Sequence, residues 1–245
     1  MTTTTVLAAD EPVHWRTIEA RGADTLAFLQ GQLSCDVTTL SSDEWRRGLL
    51  LTPAGEVVTS LSCRAADEGV DLVVRAEALE TTLSALRRFL LRTKCELRDA
   101  GDADGPYASV GQQVDAGAPG PLEFSRGLGA HSFGQSFVDE HVSFTKGCFT
   151  GQELVGRLDS RGGNVPFRLA RVRGEDLDRL AQVVEGAGPS GERALQGLTS
   201  VVAAPDTGEY VALAVVHRTL LGAESAGVIE AVRVELLHDQ RSDAR

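Results

Sequence analysis

Lys146-Gly147-Cys148-Phe149-Thr150-Gly151-Gln152-Glu153-Leu154-Val155-Gly156-Arg157 sets a cation, a thiol, an amide, a carboxylate and a second cation in one short run. Gly147 and Gly151 bracket a loop and can take backbone angles that other residues avoid, which predicts a tight turn at Cys148. From Gln152 to Leu158, the positions of Leu154, Val155 and Leu158 follow a helical period, so the loop feeds a helix that Thr150 is suited to cap. Cys148 therefore sits near a helix start, where free N–H groups and the charge of Lys146 favour a thiolate. Two readings stand on these residues: a reactive or ligating Cys148, and a small hydrophobe packed in a loop.

The whole chain limits what this stretch can serve. With 245 residues, 42% of them hydrophobic, it can bury one or two sizeable cores. Its formal net charge of −11 argues against a general electrostatic grip on DNA, RNA or anionic membranes, so neither nucleic acid nor membrane is expected as a partner. A local basic pocket for a small acidic ligand stays open. Of the 24 basic residues only Lys94 and Lys146 are lysines, so the motif carries a residue the chain otherwise avoids. Cys35, Cys63, Cys95 and Cys148 are spread along the sequence without a Cys-x-x-Cys. That predicts no disulfide framework, no zinc ribbon or other metal site, and no permanently bound iron–sulfur cluster. Met1 to Ala9 lacks a basic n-region and a long apolar core, and no later stretch reaches membrane-spanning length, so a soluble, cytoplasmic protein is expected.

Residues 1–13 read as a flexible, Thr-rich tail. Trp15 to Arg21 alternates as a strand, with Trp15, Thr17 and Glu19 on its more polar face. Asp24 or Thr25 can cap a short helix carrying Leu26, Phe28, Leu29 and Leu33, in which Gln30 and Gln32 are turn-stabilising amides. Trp45 to Leu51, the Thr52-Pro53-Ala54-Gly55 turn and Glu56 to Arg64 predict a hairpin, and Val70 to Arg75 a third strand. Glu77 to Arg92 reads as an amphipathic helix on Leu79, Leu83, Leu86, Phe89 and Leu90. Lys94 to Arg98 is expected to pair with the hairpin. Residues 99–121 are rich in Gly, Asp, Ala and Pro and read as a loop or linker. Residues 164–245 show strands at Val165 to Val172, Leu195 to Ala203, Tyr210 to Val216 and Val228 to Leu237. Turns at Pro189-Ser190-Gly191, Pro205-Asp206-Thr207-Gly208 and Ala223 to Gly227 separate them, and a polar tail follows from Asp239. That spacing predicts a small β-barrel or sandwich. The fold class is α+β, with antiparallel sheets and helices in residues 14–163 followed by the C-terminal β-barrel.

Lys146-Gly147-Cys148-Phe149-Thr150-Gly151-Gln152-Glu153 resembles the Lys-Gly-Cys-Tyr-x-Gly-Gln-Glu signature of the YgfZ family, folate-binding relatives of the glycine-cleavage T-protein that support iron–sulfur proteins. Phe149 stands where the family usually has Tyr. A second match joins Trp15-Arg16-Thr17-Ile18-Glu19-Ala20-Arg21-Gly22-Ala23-Asp24 to Phe28-Leu29-Gln30-Gly31-Gln32-Leu33-Ser34-Cys35-Asp36-Val37, which is similar to the family's strand, Gly-x-Asp turn and Leu-Gln-Gly-Gln-x-Thr-x-Asp-Val segment. The resemblance covers roughly the first 100 residues and about 120 to 175.

The resemblance implies tetrahydrofolate as cofactor, Trp15 as its contact, and iron–sulfur client proteins or their assembly machinery as partners. The indole offers a flat face and one N–H donor for such a ligand; the same residue also reads as a half-buried core Trp. It further implies a shortened middle subdomain and a role in assembly or repair of iron–sulfur enzymes. In that reading Cys148 is the working thiol and Lys146 supports it. Gly147, Phe149 and Gly151 shape the loop, and Gln152, Glu153 and Arg157 orient it or meet a ligand. Glu153 and Arg157, at i and i+4, also fit a plain helix ion pair.

In T-proteins the hairpin carries Gly-Gly-x-x-Asp-Asp with a catalytic carboxylate; here Thr59-Ser60 takes that place, and hydroxyls are no strong base at neutral pH. Standard aminomethyl transfer is not expected, which leaves whether the chain is an enzyme open. The family's acidic segment before the Cys motif matches Arg126 to Gly134, where Leu128 takes the place of the pterin-holding Glu; Glu123 is the nearest acid. His131 and His141 precede the Cys motif as further candidate bases. A folate-dependent one-carbon transferase on another substrate and a non-catalytic scaffold remain the alternatives.

Overall fold

A computed structural model of the chain describes residues 5–186, 195–204, 206–220 and 226–237. In chain order the elements are β1 (Val6–Leu7), β2 (Trp15–Arg21), α1 (Thr25–Gln32), β3 (Arg46–Leu51), β4 (Val57–Ala66), β5 (Gly69–Arg75), α2 (Leu79–Arg87), β6 (Glu96–Ala103), α3 (Val110–Asp115), α4 (Pro121–Phe124), α5 (Gln135–His141) and α6 (Gln152–Ser160). There follow β7 (Phe167–Gly174), α7 (Leu177–Gly186), β8 (Gly197–Ala204), β9 (Glu209–His217), β10 (Ala226–Ile229) and β11 (Val232–Leu236). They form two compact units. One takes His14–Pro106 and Val138–Ser160; the other takes the described residues of Met1–Val13, Tyr107–Phe137 and Arg161–Arg245.

In the first unit five antiparallel strands run in the order β3-β4-β5-β2-β6. Alternation puts Ile18, Ala20, Leu61, Cys63, Val70, Leu72 and Val74 on one face, where Phe28 and Leu29 of α1 and Leu83 and Leu86 of α2 complete the core. The expected hairpin is present, β3 against β4 around Gly55 at φ +84. The helix expected over Glu77 to Arg92 is shorter. The α-helix ends at Arg87 although Leu90 still packs against the core; Phe89 is 43% exposed, and Arg92 turns into the left-handed region at φ +62. The strand expected at Lys94 to Arg98 is β6, which pairs with β2 and not with the hairpin. It runs on to Ala103 through an irregularity opposite Thr17 and Ile18, so the first part of the expected 99–121 loop is strand.

The second unit is a six-stranded sheet in the order β1-β8-β9-β7-β11-β10, parallel at β1–β8 and antiparallel elsewhere. β1 and β10 stand at opposite ends of that order, so among the described residues no closed barrel is found and the C-terminal barrel expected for 164–245 is unconfirmed. One face of the sheet carries α7, which the strand pattern left unread. Its Leu180, Val183 and Val184 cover Ala170, Val172, Val201, Ala212, Ala214, Val216, Val232 and Val234, burying the face that closure would otherwise bury. Val6 and Leu7 pair with Val201 and Val202, so part of the expected tail is a strand. The strand expected from Val228 to Leu237 is a hairpin, because Glu230 and Ala231 both take positive φ, 50° and 69°, as a two-residue turn requires.

Residues 107–137 belong with this sheet and not with residues 14–106. Glu123 of α4 accepts from Ser200 Oγ at 2.7 Å, and Arg126 donates to the Leu198 carbonyl at 3.2 Å. The turn expected at Pro189-Ser190-Gly191, Pro205, most of the Ala223 to Gly227 turn and the tail from Asp239 lie outside the described residues. No described helix is long and apolar enough to cross a membrane.

Candidate functional site

The two stretches that stand out in the sequence meet in the first unit. α1 ends at Gln32 and leaves its last carbonyls without helical partners. Lys146 serves one of them and the turn beyond: its Nζ donates to the Gln30, Leu33 and Cys35 carbonyls at 2.7, 2.5 and 2.9 Å. An ammonium has three donors, and all three are used. Its side chain is 8% exposed, and the Phe149 ring lies over it with its centroid 5.1 Å from Nζ. Burial pushes the Lys146 ammonium below its ordinary pKa, with Cys35 and Asp36 acting in the opposite sense; the three carbonyls favour the charged form further.

The turn that receives Lys146 is itself latched. Asp36 Oδ1 accepts from Gln30 Nε2, Thr38 N and Thr38 Oγ1, and Gln30 Oε1 accepts from Val37 N at 2.9 Å. Ser34 Oγ donates to the His141 carbonyl and accepts from Leu49 N. The expected turn-stabilising role of Gln30 is therefore met by two contacts. On the motif side, Thr150 N donates to the Gly31 carbonyl at 2.9 Å, and Thr150 Oγ1 lies 3.2 Å from Gln32 Oε1.

The bracketing glycines differ. Gly151 has φ +79, and a Cβ there would fall 2.6 Å from the Thr52 carbonyl oxygen and 2.9 Å from Leu51 Cβ. This is the turn next to Gly55, whose own Cβ would meet Leu154 at 2.8 Å. Gly147 has no such need: its φ is not positive and a Cβ would meet nothing within 4 Å. α6 then starts at Gln152, as the periodicity predicted, and only Val155 is buried; Glu153 and Arg157 are exposed on it.

Between these anchors the chain presents Cys148. All four cysteines are described, and Cys148 is the exposed one. Cys35 and Cys63, distant in sequence, are buried with their sulfurs 3.5 Å apart, a contact that no spacing rule reports.

Trp15 lies half-buried on β2. The Arg75 guanidinium is 5.7 Å from its ring centroid, and Gly105 is packed against the ring so closely that a Cβ would fall 2.1 Å from Cδ2. Thr59 is buried and its hydroxyl donates to the Ser60 carbonyl at 3.0 Å, so this position holds a spent hydroxyl and no carboxylate. In the second unit Leu128 is buried, and Glu123, fully buried, has Oε2 on Gly120 N at 2.7 Å and Oε1 on Ser200. His131 of that unit and His141 of the first unit are buried as well. The residues present fit a flat folate ring at Trp15 in part: the indole suits stacking, and one of its faces is met by Gly105.

The chain is similar to the tRNA-modifying protein YgfZ of Aliivibrio fischeri (strain MJ11), with 30% identity over 61% of this chain and 66% of that protein. The YgfZ of Vibrio atlanticus (strain LGP32) is 28% identical over 70% of this chain and 72% of its own length, and that of Yersinia pestis (strain Pestoides F) 22% over 71% and 75%. The chain is a distant member of the YgfZ family. No family model matches it. Among solved structures, this YgfZ relative is similar to the glycine cleavage system aminomethyltransferase T of Bartonella henselae, with a TM-score of 0.58 and 13% identity over 94% of this chain and 86% of that one. That likeness speaks to the fold: this YgfZ relative has a mixed α/β, T-protein-like architecture with antiparallel sheets.

Proposed function

We propose that this YgfZ relative assists the assembly or repair of iron–sulfur enzymes, with Cys148 as its working thiol and tetrahydrofolate as a ligand stacked on Trp15. The observation that carries the proposal is the contrast within one motif. Lys146, Thr150 and Gly151 are engaged with residues 30–35 and 51–55 and Phe149 is buried over Lys146, while Cys148 between them is exposed. Such a loop spends its binding on holding a thiol outward, which suits a nucleophile that must meet another macromolecule. Lys146 is in this reading a positioning residue, because its three donors are committed to carbonyls.

The tRNA modification for which the relatives are named reaches this chain as help given to an enzyme. A chain of net charge −11 has little to hold RNA with. Iron–sulfur client proteins or their assembly machinery are the partners, and the working compartment is the cytoplasm. The Thr59-Ser60 pair argues against T-protein-type transfer, which needs a carboxylate there.

The test is calorimetric titration of tetrahydrofolate into the wild type, Trp15→Ala and Cys148→Ser. Binding that is lost with Trp15→Ala and kept with Cys148→Ser is the expected pattern. A wild type that takes up no folate removes the ligand from the proposal and leaves the thiol to stand alone.

A further inference from the structure

Cys35 lies in the turn after α1 and Cys63 on β4, yet their sulfurs touch at 3.5 Å with both residues buried. A glycine makes the contact possible: a Cβ on Gly48 of β3 would fall 2.6 Å from Cys35 Sγ, so the thiol leans into space that any other residue would fill. The two sulfurs are not equivalent. The hydrogen bond from Cys63 holds the Cys35 thiol below its ordinary range, and the charge of Lys146, whose Nζ is 2.9 Å from the Cys35 carbonyl, acts in the same sense against burial. The same contact and burial push Cys63 up, and its S–H also reaches the Arg46 carbonyl at 3.3 Å. One sulfur is disposed to be the thiolate and the other to hold the proton, the division that stepwise thiol oxidation uses.

We propose that Cys35 and Cys63 are an oxidisable dithiol, a modification site separate from Cys148, which a small peroxide closes to an intramolecular disulfide. The Cys35 thiolate attacks one peroxide oxygen and the O–O bond breaks, giving a sulfenic acid on Cys35 and a hydroxide that takes up a proton to leave as water. Cys63 then attacks the Cys35 sulfur, the S–O bond breaks, and the departing hydroxide leaves with the Cys63 proton as a second water. Two thiols and one hydrogen peroxide become one disulfide and two waters, with two electrons passing from sulfur to oxygen. Hydrogen peroxide is close to water in size, which suits a pair that larger reagents do not reach. Bond formation brings the sulfurs from 3.5 Å to about 2.05 Å, a closure of roughly 1.5 Å to be shared by rotation of the two cysteine side chains.

The experiment treats the folded wild-type protein with hydrogen peroxide, alkylates the remaining thiols after denaturation, and digests with trypsin for mass spectrometry. Cleavage after Arg21, Arg46, Arg47 and Arg64 puts Cys35 in peptide 22–46 and Cys63 in peptide 48–64. The expected product is those two peptides linked, two hydrogens lighter than their sum, and separated again by a reductant. Cys148→Ser, which removes the exposed thiol, gives the same link; Cys63→Ala gives none. Cys35 and Cys63 both recovered alkylated while Cys148 is fully oxidised overturns the proposal, as does a link that joins either of them to Cys95 or Cys148.

Discussion

The Lys146 ammonium donates to the Leu33 carbonyl at 2.5 Å across 113 positions of sequence. That bond and its two neighbours join the end of α1 to the loop that bears Cys148, so two motifs that look independent in the sequence are one piece of structure. Replacing Lys146 with Met keeps the volume and removes the donors, leaving three carbonyls to find new partners. At about 1–3 kcal/mol for each buried acceptor left without a partner, partly recovered by water, the expected loss is about 2–4 kcal/mol. Urea unfolding measures it; a midpoint unchanged from wild type contradicts the role given to Lys146.

The two glycines of the motif give an internal control. Gly151→Ala meets both a positive φ and a backbone oxygen at 2.6 Å, so a destabilisation of about 2 kcal/mol or more is expected. Gly147→Ala meets neither and is expected to stay within about 0.5 kcal/mol of wild type. Thermal melts of the pair decide it, and equal losses would show that the loop is held in some other way.

Asp36 ties the same turn to acid stability. The Thr38 hydroxyl, with the Thr38 N–H, Gln30 and Lys146, holds its carboxyl below the ordinary carboxylate range. A folded pKa lower than the unfolded one gives stability that is present above about pH 3.9 and is lost as pH falls through the folded value. Asp36→Asn is therefore expected to be less stable than wild type at neutral pH, with the gap closing in acid. Urea midpoints across that range test the sign; a gap that widens in acid is the wrong one.

What the sequence showed and what it hid divide along physical lines. Trp15–Arg21 and the hairpin were legible because each alternates on a half-buried sheet, and α6 because its leucines and Val155 keep a helical period. The length of α2 was not, since Phe89 and Leu90 continue the apolar period past Arg87, where the helix ends. The Glu230-Ala231 turn carries none of the Asn or Gly signals of its type, and so one strand was read where two stand. In the candidate site, the turn at Gly151 and the helix after it followed from local pattern, whereas the tight turn expected at Cys148 is absent and residues 147–149 run without one. The target of Lys146, the Cys35–Cys63 contact and the engagement of Glu123 are long-range pairings, which no local period encodes.

Gly105 and Trp15 make a further prediction. A Cβ at Gly105 would sit 2.1 Å from the indole, so Gly105→Ala must lift that segment off the ring. In a Trp45→Phe background, which leaves Trp15 as the sole tryptophan, its fluorescence is expected to shift to longer wavelength as the ring gains water. An unshifted emission maximum would mean that the glycine does not cover the indole in solution.

The measurement that bears most directly on the account is the activity of an iron–sulfur enzyme in cells lacking this protein and supplied with the wild type or with Cys148→Ser at matched levels. The account predicts that the wild type restores the enzyme and that Cys148→Ser, folded and equally abundant, does not. Full restoration by Cys148→Ser would contradict it and leave the motif as a structural clasp.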